Sequence, residues 1–494
     1  MAKGFINCNV IPLAGRSEKF HGFLVEDGYI TCIKDYDRIM KESDQKINLK
    51  GYTVIPGFID SHVHLLQRGI KEKMVDLSDT DSFEEAKYYL KKEMDDKDEG
   101  DWIIGVDFDD TKWKRARVPS KKDLDEMGEN YPIILKRICG HLGVANSKAL
   151  EMIDDSWENV DHESGILKEN AVWNLDDIIG ITKEDRKEAI IKGTEIAHEL
   201  GVTSVHEIVD RDGWEAYVEL DEEGDLELRV RCYLHYDEVG DLEPMNKSEF
   251  LSLRGIKVFA DGSFGGRTAA LWDDYSDDPG NNGLLLRDKE QLEDIISTAE
   301  SKGFQCMIHA IGDRAIDTVV DAYSDSAQRI KELRHRIEHA ELLSEENIKR
   351  IRDLGLVLSV QPNFSYRWSQ KGGMNERRLG KERLERCDPL WNLQRALVKT
   401  AFGSDNMPMS PLFGIHSATN HPLLEQRIST YNALQSYITN GAYVGRDEKE
   451  IGELTEGKKA DFVVLSENPL DAEDMNDIEV KMTVVNGEIV YSDL

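Results

Sequence analysis

The chain has 494 residues, 40% hydrophobic and 8% aromatic, enough apolar material for two or three cores or for one large barrel with additions. Its 96 acidic against 62 basic residues give a formal charge of −34, which argues against nucleic acid and anionic membrane surfaces as partners and fits a solvated acidic exterior. No run approaches the ~18 apolar residues of a membrane span, and the start MAKGFINCNVIPLAGR lacks a signal-peptide pattern. The six cysteines (8, 32, 139, 232, 306 and 387) are far apart with no C-x-x-C pair, so they read as reduced thiols of a cytoplasmic protein.

In chain order, GFLVEDGYITCIKDYD (22–37) reads as a hairpin about Asp27-Gly28. GFIDSHVHL (57–65) follows, a short apolar run with two histidines that alternation directs to one side. Residues 70–180 hold extra material, in which DWIIGVDFDD and PIILKRICGH read as strands of an inserted α/β subdomain, with one of them a possible barrel strand. TKEDRKEAIIKGTEIAHEL (182–200) opens with a capping-box pattern, Thr182 to Asp185, and leads into the apolar VTSVHEI. The helical stripe of QLEDIISTAESKG (291–303) stops at Gly303 and feeds FQCMIHA, and SEENIKRIRDLG (344–355) feeds LVLSVQP. ADFVVLSENPL (460–470) and TVVNGEIVYS (483–492) end the chain with further strand signals, the second about Asn486-Gly487.

Helix, glycine, buried strand and polar loop recur as the grammar of a parallel sheet. Strand candidates at 57–63, 203–207, 229–235, 256–261, 305–309, 335–339, 356–361 and 400–404 number eight, as barrel closure requires. The predicted fold class is α/β: a (β/α)8 barrel with a small β-sandwich domain formed from both chain ends and an α/β insertion after the first barrel strand. Residues 1–55 and 445–494 are assigned to the sandwich, 56–444 to the barrel, and 70–180 to the subdomain inserted within it.

Several of the thirteen histidines end proposed strands, where a barrel keeps its chemistry. His62 and His64 end the first, His309 ends CMIHA, His339 ends RIEHA, and Asp405 follows TAFGS. One such histidine is usually an ordinary hydrogen-bonded residue. Five coincidences are not, so a metal site is the better reading. Lys257, in IKVFADGSFGG, shares strand parity with Phe259 and Asp261. It reads either as a ligand or as a lysine snorkelling or paired with Asp261. Glu207, ending TSVHEI, is a second candidate for a bridging group. The closely spaced glycines of FADGSFGG lack the strand–helix context of a nucleotide fingerprint.

GFIDSHVHL, the histidine-bearing strands and the final GSD resemble the amidohydrolase superfamily. KVFADGSFGGRTAAL, HAIGDRA, RIEHAE and SVQPNF resemble its amidohydrolase-3 branch of YtcJ-like hydrolases, over essentially the whole chain. One departure is GSDNMP, where Asn406 and Met407 stand between Asp405 and a proline that the branch usually has two residues after the aspartate. The resemblance implies that His62 and His64 bind a more buried metal, His309 and His339 a more exposed one, and that Asp405 completes the site. Lys257 would be carbamylated and bridge the two. One or two divalent ions per chain are expected, zinc foremost.

The expected reaction is hydrolysis of an amide or other C–N bond of a small molecule by metal-activated water, with Asp405 as general base. The alternatives are a deaminase of the same superfamily and a scaffold that has lost catalysis. His141, in RICGHLGVANSKAL, together with Arg267 and Asp313, are candidate substrate contacts, with loop locking by ion pairs the competing reading for Arg267 and Asp313. Partners are a small-molecule substrate, no nucleic acid and no membrane, with a possible homo-oligomer.

Overall fold

The computed structural model describes residues 1–15, 20–115, 117–138, 140 and 142–494. Eight parallel strands form the central sheet: β1 (Phe58–Val63), β2 (Val202–Val209), β3 (Arg229–His235), β4 (Leu251–Phe259), β5 (Gln305–Ala310), β6 (Arg336–His339), β7 (Val357–Val360) and β8 (Thr400–Phe402). They pair with their sequence neighbours in the order β8-β7-β6-β5-β4-β3-β2-β1. All eight predicted barrel strands are present, and the strands of 103–108 and 133–137 lie outside this sheet. β1, β2, β5, β6 and β7 are buried at every position, which is why they read as short continuous apolar runs rather than alternating ones.

The barrel closes between β1 and β8 through individual bonds. Asp405 N–H donates to the His62 carbonyl at 2.8 Å, and Ser404 N–H donates to Asp60 Oδ1 at 2.9 Å. Gly403 makes this seam possible, because a Cβ there would lie 2.6 Å from both the His62 nitrogen and its Cβ.

Register places the polar residues. His235 lies opposite Lys257, Phe259 opposite His309, and Ala310 opposite His339. Several of the helices that return the chain are capped at both ends. Lys289–Lys302 starts with the reciprocal Asp288–Gln291 box and ends at Gly303 in the left-handed region (φ 86°).

Both chain ends build one β-domain. Strands 488–492, 480–485, 462–465, 53–56, 3–10, 20–26 and 29–32 hydrogen-bond in that order, with 45–48 added alongside 3–10. The sheet curls back on itself: Ile30 N–H donates to the Lys458 carbonyl at 2.9 Å, tying the 29–32 edge to the lead-in of strand 462–465. Phe5, Phe23 and Phe462 pack at its centre with ring centroids 4.8–5.2 Å apart, so the core draws on both termini. Neither terminal segment supplies enough strand or apolar area alone.

Residues Leu66–Gly193 form a separate compact unit. Its six strands run in the order 160–161, 166–168, 142–145, 133–137, 103–108, 75–76 over a core that includes Leu90, Phe108, Ile133 and Leu135. The five described cysteines are free and buried, and Cys139 lies outside the described residues. Among the described residues no helix is long and apolar enough to cross a membrane.

Candidate metal centre

The C-terminal ends of β1, β6 and β8 deliver His62, His339 and Asp405 to one point, with one donor atom of each lying within 4.8 Å of the others. His62 Nε2 is 3.7 Å and His64 Nε2 3.3 Å from Asp405 Oδ1. The His62 and His339 ring centroids are 4.8 Å apart, and those of His309 and His339 4.5 Å. Four of the residues at these strand ends carry positive φ: His339 (66°), Ala340 (50°), Asp405 (50°) and Asn406 (58°). Each costs about 1–3 kcal/mol of backbone strain, a cost that clusters where side-chain aim matters more than stability.

Hydrogen bonds decide which atoms can bind a cation. Burial holds the His62 and His339 imidazoles far below the usual histidine pKa, with Lys257 or a neighbouring imidazole adding to the effect, so each ring carries one proton. His62 Nδ1 lies 2.5 Å from Glu338 Oε2, and a carboxylate only accepts, so that proton sits on Nδ1. His339 Nδ1 likewise donates to Gln361 Oε1 at 2.7 Å. Each ring is therefore left with an Nε2 lone pair, and that of His62 faces Asp405 at 3.7 Å. Burial works to raise the pKa of Asp405, but the hydrogen bond from His64 and the nearby Lys257 ammonium help to hold the carboxyl below its ordinary value. Two imidazole lone pairs and one carboxylate facing a common point are a donor set that a divalent ion such as zinc satisfies.

His309 is oriented differently. Its Nε2 donates to the Gly262 carbonyl at 3.0 Å and stands 3.5 Å from Asp261 Oδ1. Lys257 is buried beside the cluster with Nζ 4.9 Å from the centre of the Phe259 ring. Burial lowers its pKa to about 8 against the pull of Glu338 and Asp405. It is not paired with Asp261, whose two oxygens take the backbone N–H groups of Ala270, Ile311 and Gly312. Glu207 faces away from the cluster. His206 points into the barrel toward Arg336, so its neighbour alternates outward, and Glu207 Oε2 accepts from Leu65 N–H at 2.6 Å.

Arg267 and Asp313 lock loops. Arg267 pairs with Asp277 through Nε and Nη2 at 3.2 and 3.1 Å. Asp313 accepts from Trp272 N–H and pairs with Arg386. His141 lies outside the described residues. In the departing segment GSDNMP, Asn406 Nδ2 donates to the His64 carbonyl at 2.7 Å, and Asn363 Nδ2 donates to the carbonyls of Ser404 and Met407. The inserted residues thus fasten the His64 and Asp405 ends together.

The chain's match to the model of the amidohydrolase family spans residues 45–491. The chain belongs to the amidohydrolase family. It is 30% identical to YtcJ of Bacillus subtilis (strain 168) over 98% of both chains. It is 24% identical to the N-substituted formamide deformylase of Arthrobacter pascens, covering 98% of this chain and 97% of that one. Among solved structures, an uncharacterized metal-dependent hydrolase from Pyrococcus horikoshii OT3 superposes with a TM-score of 0.83 at 30% identity, covering 97% and 99% of the two chains.

This amidohydrolase also has residues at its barrel mouth that reading the sequence missed. His235 ends β3 opposite Lys257 and stacks on Phe259 at 6.0 Å. Burial, helped by His64 and Lys257, lowers its pKa to about 4. The signal was present, since RCYLH is another apolar strand ending in histidine. Glu338 and Gln361, which hold the protons of His62 and His339, are not among the candidates the sequence singled out. Phe364 lies parallel to His339 at 6.0 Å with Trp368 against it, an apolar wall beside the donors.

Proposed function

We propose that this amidohydrolase is a metal-dependent enzyme that hydrolyses the C–N bond of a small amide. The observation that carries the reading is the convergence of His62, His339 and the Asp405 carboxylate on one point, with the Nδ1 protons of both rings held by Glu338 and Gln361. Zinc is the ion this nitrogen-and-oxygen set suits, with one or two per chain. His62, His64, His309, His339 and Asp405 would hold it, with Lys257 as a bridge. A bound divalent ion supplies a water of lowered pKa and polarises the substrate carbonyl. Asp405 takes the proton of the attacking water and passes it to the departing nitrogen, work for which a carboxylate held ionised at the mouth is suited.

Lys257 is proposed to act as a carbamate. Its amine, brought to a pKa of about 8 by burial, offers a neutral fraction near neutral pH. Addition of carbon dioxide to that amine releases one proton and yields an anion where an ammonium would repel the metals. His235, kept neutral, is placed to donate a hydrogen bond as charge develops on the carbonyl oxygen.

The name of the Arthrobacter pascens relative supports an N-substituted amide as substrate class. The test measures metal per chain together with turnover of N-substituted formamides, N-acyl amino acids, hydantoins and lactams. Turnover of at least one class, lost on chelation and regained with zinc, is expected. Full turnover by metal-free protein, or release of ammonia from an aminated ring as the sole activity, would overturn the amidase reading.

A further inference from the structure

Behind the cluster lies a buried chain of polar side chains running from His206 through Arg336 and Glu338 to His62. All four are at most 1% exposed. Arg336 and Glu338 are two apart on β6 and so share a face. The guanidinium grips the carboxylate with both edges, Nε to Oε1 at 2.5 Å and Nη2 to Oε2 at 2.9 Å. Nη2 also donates to the Ser61 carbonyl, and Nη1 lies 3.0 Å from His206 Nδ1. An arginine only donates, so His206 Nδ1 must accept, and the proton of that ring sits on Nε2. Gly445 leaves room for it, since a Cβ there would lie 2.5 Å from that nitrogen.

Resting on the metal-centre reading above, we infer that Glu338 is a positioning residue that fixes the tautomer of His62, with Arg336 and His206 holding the carboxylate in register. Arg336 and Glu338 together carry no net charge. The unit therefore adds no negative charge to the site. Its contribution is directional: it places the His62 proton on Nδ1 and so aims the Nε2 lone pair at Asp405. An imidazole without such a partner distributes its proton between both nitrogens and rotates more freely. Loss of the hydrogen-bonding partner behind a metal-binding histidine typically weakens metal affinity about 10–100-fold.

The substitution Glu338→Gln separates this role from simple packing, because it preserves shape. The amide oxygen is drawn to Arg336 Nε, the shorter of the two contacts, which turns the amide N–H toward His62 Nδ1. His62 must then accept at Nδ1 and carry its proton on Nε2, against Asp405. Removing the competing donor in the double variant Arg336→Met/Glu338→Gln frees the amide oxygen to turn back to His62.

The experiment uses the full chain. Nitrogen-15 histidine spectra of chelator-treated protein, with the His62 signals identified by their absence in His62→Asn, report the tautomer without any metal. Zinc affinity is measured by competition with a chelating dye. Wild type is expected to carry the His62 proton on Nδ1. Glu338→Gln is expected to carry it on Nε2 and to bind zinc about 10–100-fold more weakly, and the double variant to regain part of both. A wild-type His62 protonated on Nε2 overturns the inference whatever the variants do. So does a Glu338→Gln protein that binds zinc within about twofold of wild type, or a double variant that binds more weakly than the single one. If wild type binds no zinc, the metal-centre reading falls, while the tautomer measurement still decides the role of Glu338.

Discussion

His62 Nε2 and Asp405 Oδ1 stand 3.7 Å apart as two acceptors, because the only proton on the His62 ring is held at Nδ1 by Glu338. The backbone bond from Asp405 N–H to the His62 carbonyl holds the pair in place at the barrel seam. Two facing lone pairs are held in that arrangement at an electrostatic cost, and a cation between them turns the repulsion into two attractions. The seam and the site are therefore one structure, and substitutions at either are expected to report on both.

Asp405→Asn keeps the size of the side chain and removes its charge and its basicity. Turnover on the best substrate of the panel is expected to fall about 10²–10⁴-fold, the usual range for losing a general base. Far-ultraviolet circular dichroism should match wild type. A variant within tenfold of the wild-type kcat/KM would remove Asp405 from the proton-transfer role.

Lys257→Ala is expected to lower metal per chain and abolish turnover while the barrel survives, since β4 is held by its ladders to β3 and β5. Short carboxylates added in excess should restore part of the rate by occupying the vacated bridge. Metal content and rate equal to wild type would exclude Lys257 as a ligand.

Gly403→Ala replaces no proposed ligand, yet its methyl would fall 2.6 Å from both the backbone nitrogen and the Cβ of His62. The β1–β8 seam must open by several tenths of an ångström, carrying Asp405 away from His62. A stability loss of about 1–3 kcal/mol is expected from the overpacking, accompanied by weaker metal binding. Thermal melts with and without zinc check it: a variant as stable as wild type in both conditions would show that the seam can relax.

His198 tests stability against pH away from the metal centre. Burial lowers its pKa to about 4, whereas an unfolded histidine titrates near 6.5. Between these values the unfolded chain binds the extra proton, so this residue makes stability rise with pH from about 4 to 6.5 and level off above. His198→Gln should flatten that rise by about 1–3 kcal/mol. Urea midpoints at pH 4.5 and 7 for the two proteins measure the difference, and parallel shifts in both would rule out a neutral buried His198.

The barrel was legible in the sequence because its strands are buried on both faces. That burial forces short, continuous apolar runs, and β2, β5, β6 and β7 each stand out between a polar loop and a capped helix. The ends of those runs expose the next polar residue at the mouth, which is why His62, His309, His339 and Asp405 could be named from position alone. The two turns Asp27-Gly28 and Asn486-Gly487 likewise marked the hairpins of the terminal domain, because turn chemistry is local.

What the tertiary structure decided is which of these residues act on one another. Strand position cannot say that His62 converges with His339 and Asp405 or that His309 gives its Nε2 proton to Gly262. Those pairings follow from the register and from a seam that brings residues 62 and 405 together across the closed sheet. Glu207 stood behind Lys257 as a second bridging candidate in the sequence, and alternation about His206 turned it toward the helices while burial left Lys257 beside the cluster. Proton placement lay furthest from the sequence. It depends on Glu338 and Gln361 reaching the far nitrogens of two histidines, a matter of hydrogen-bond direction that exists only once the strands stand side by side.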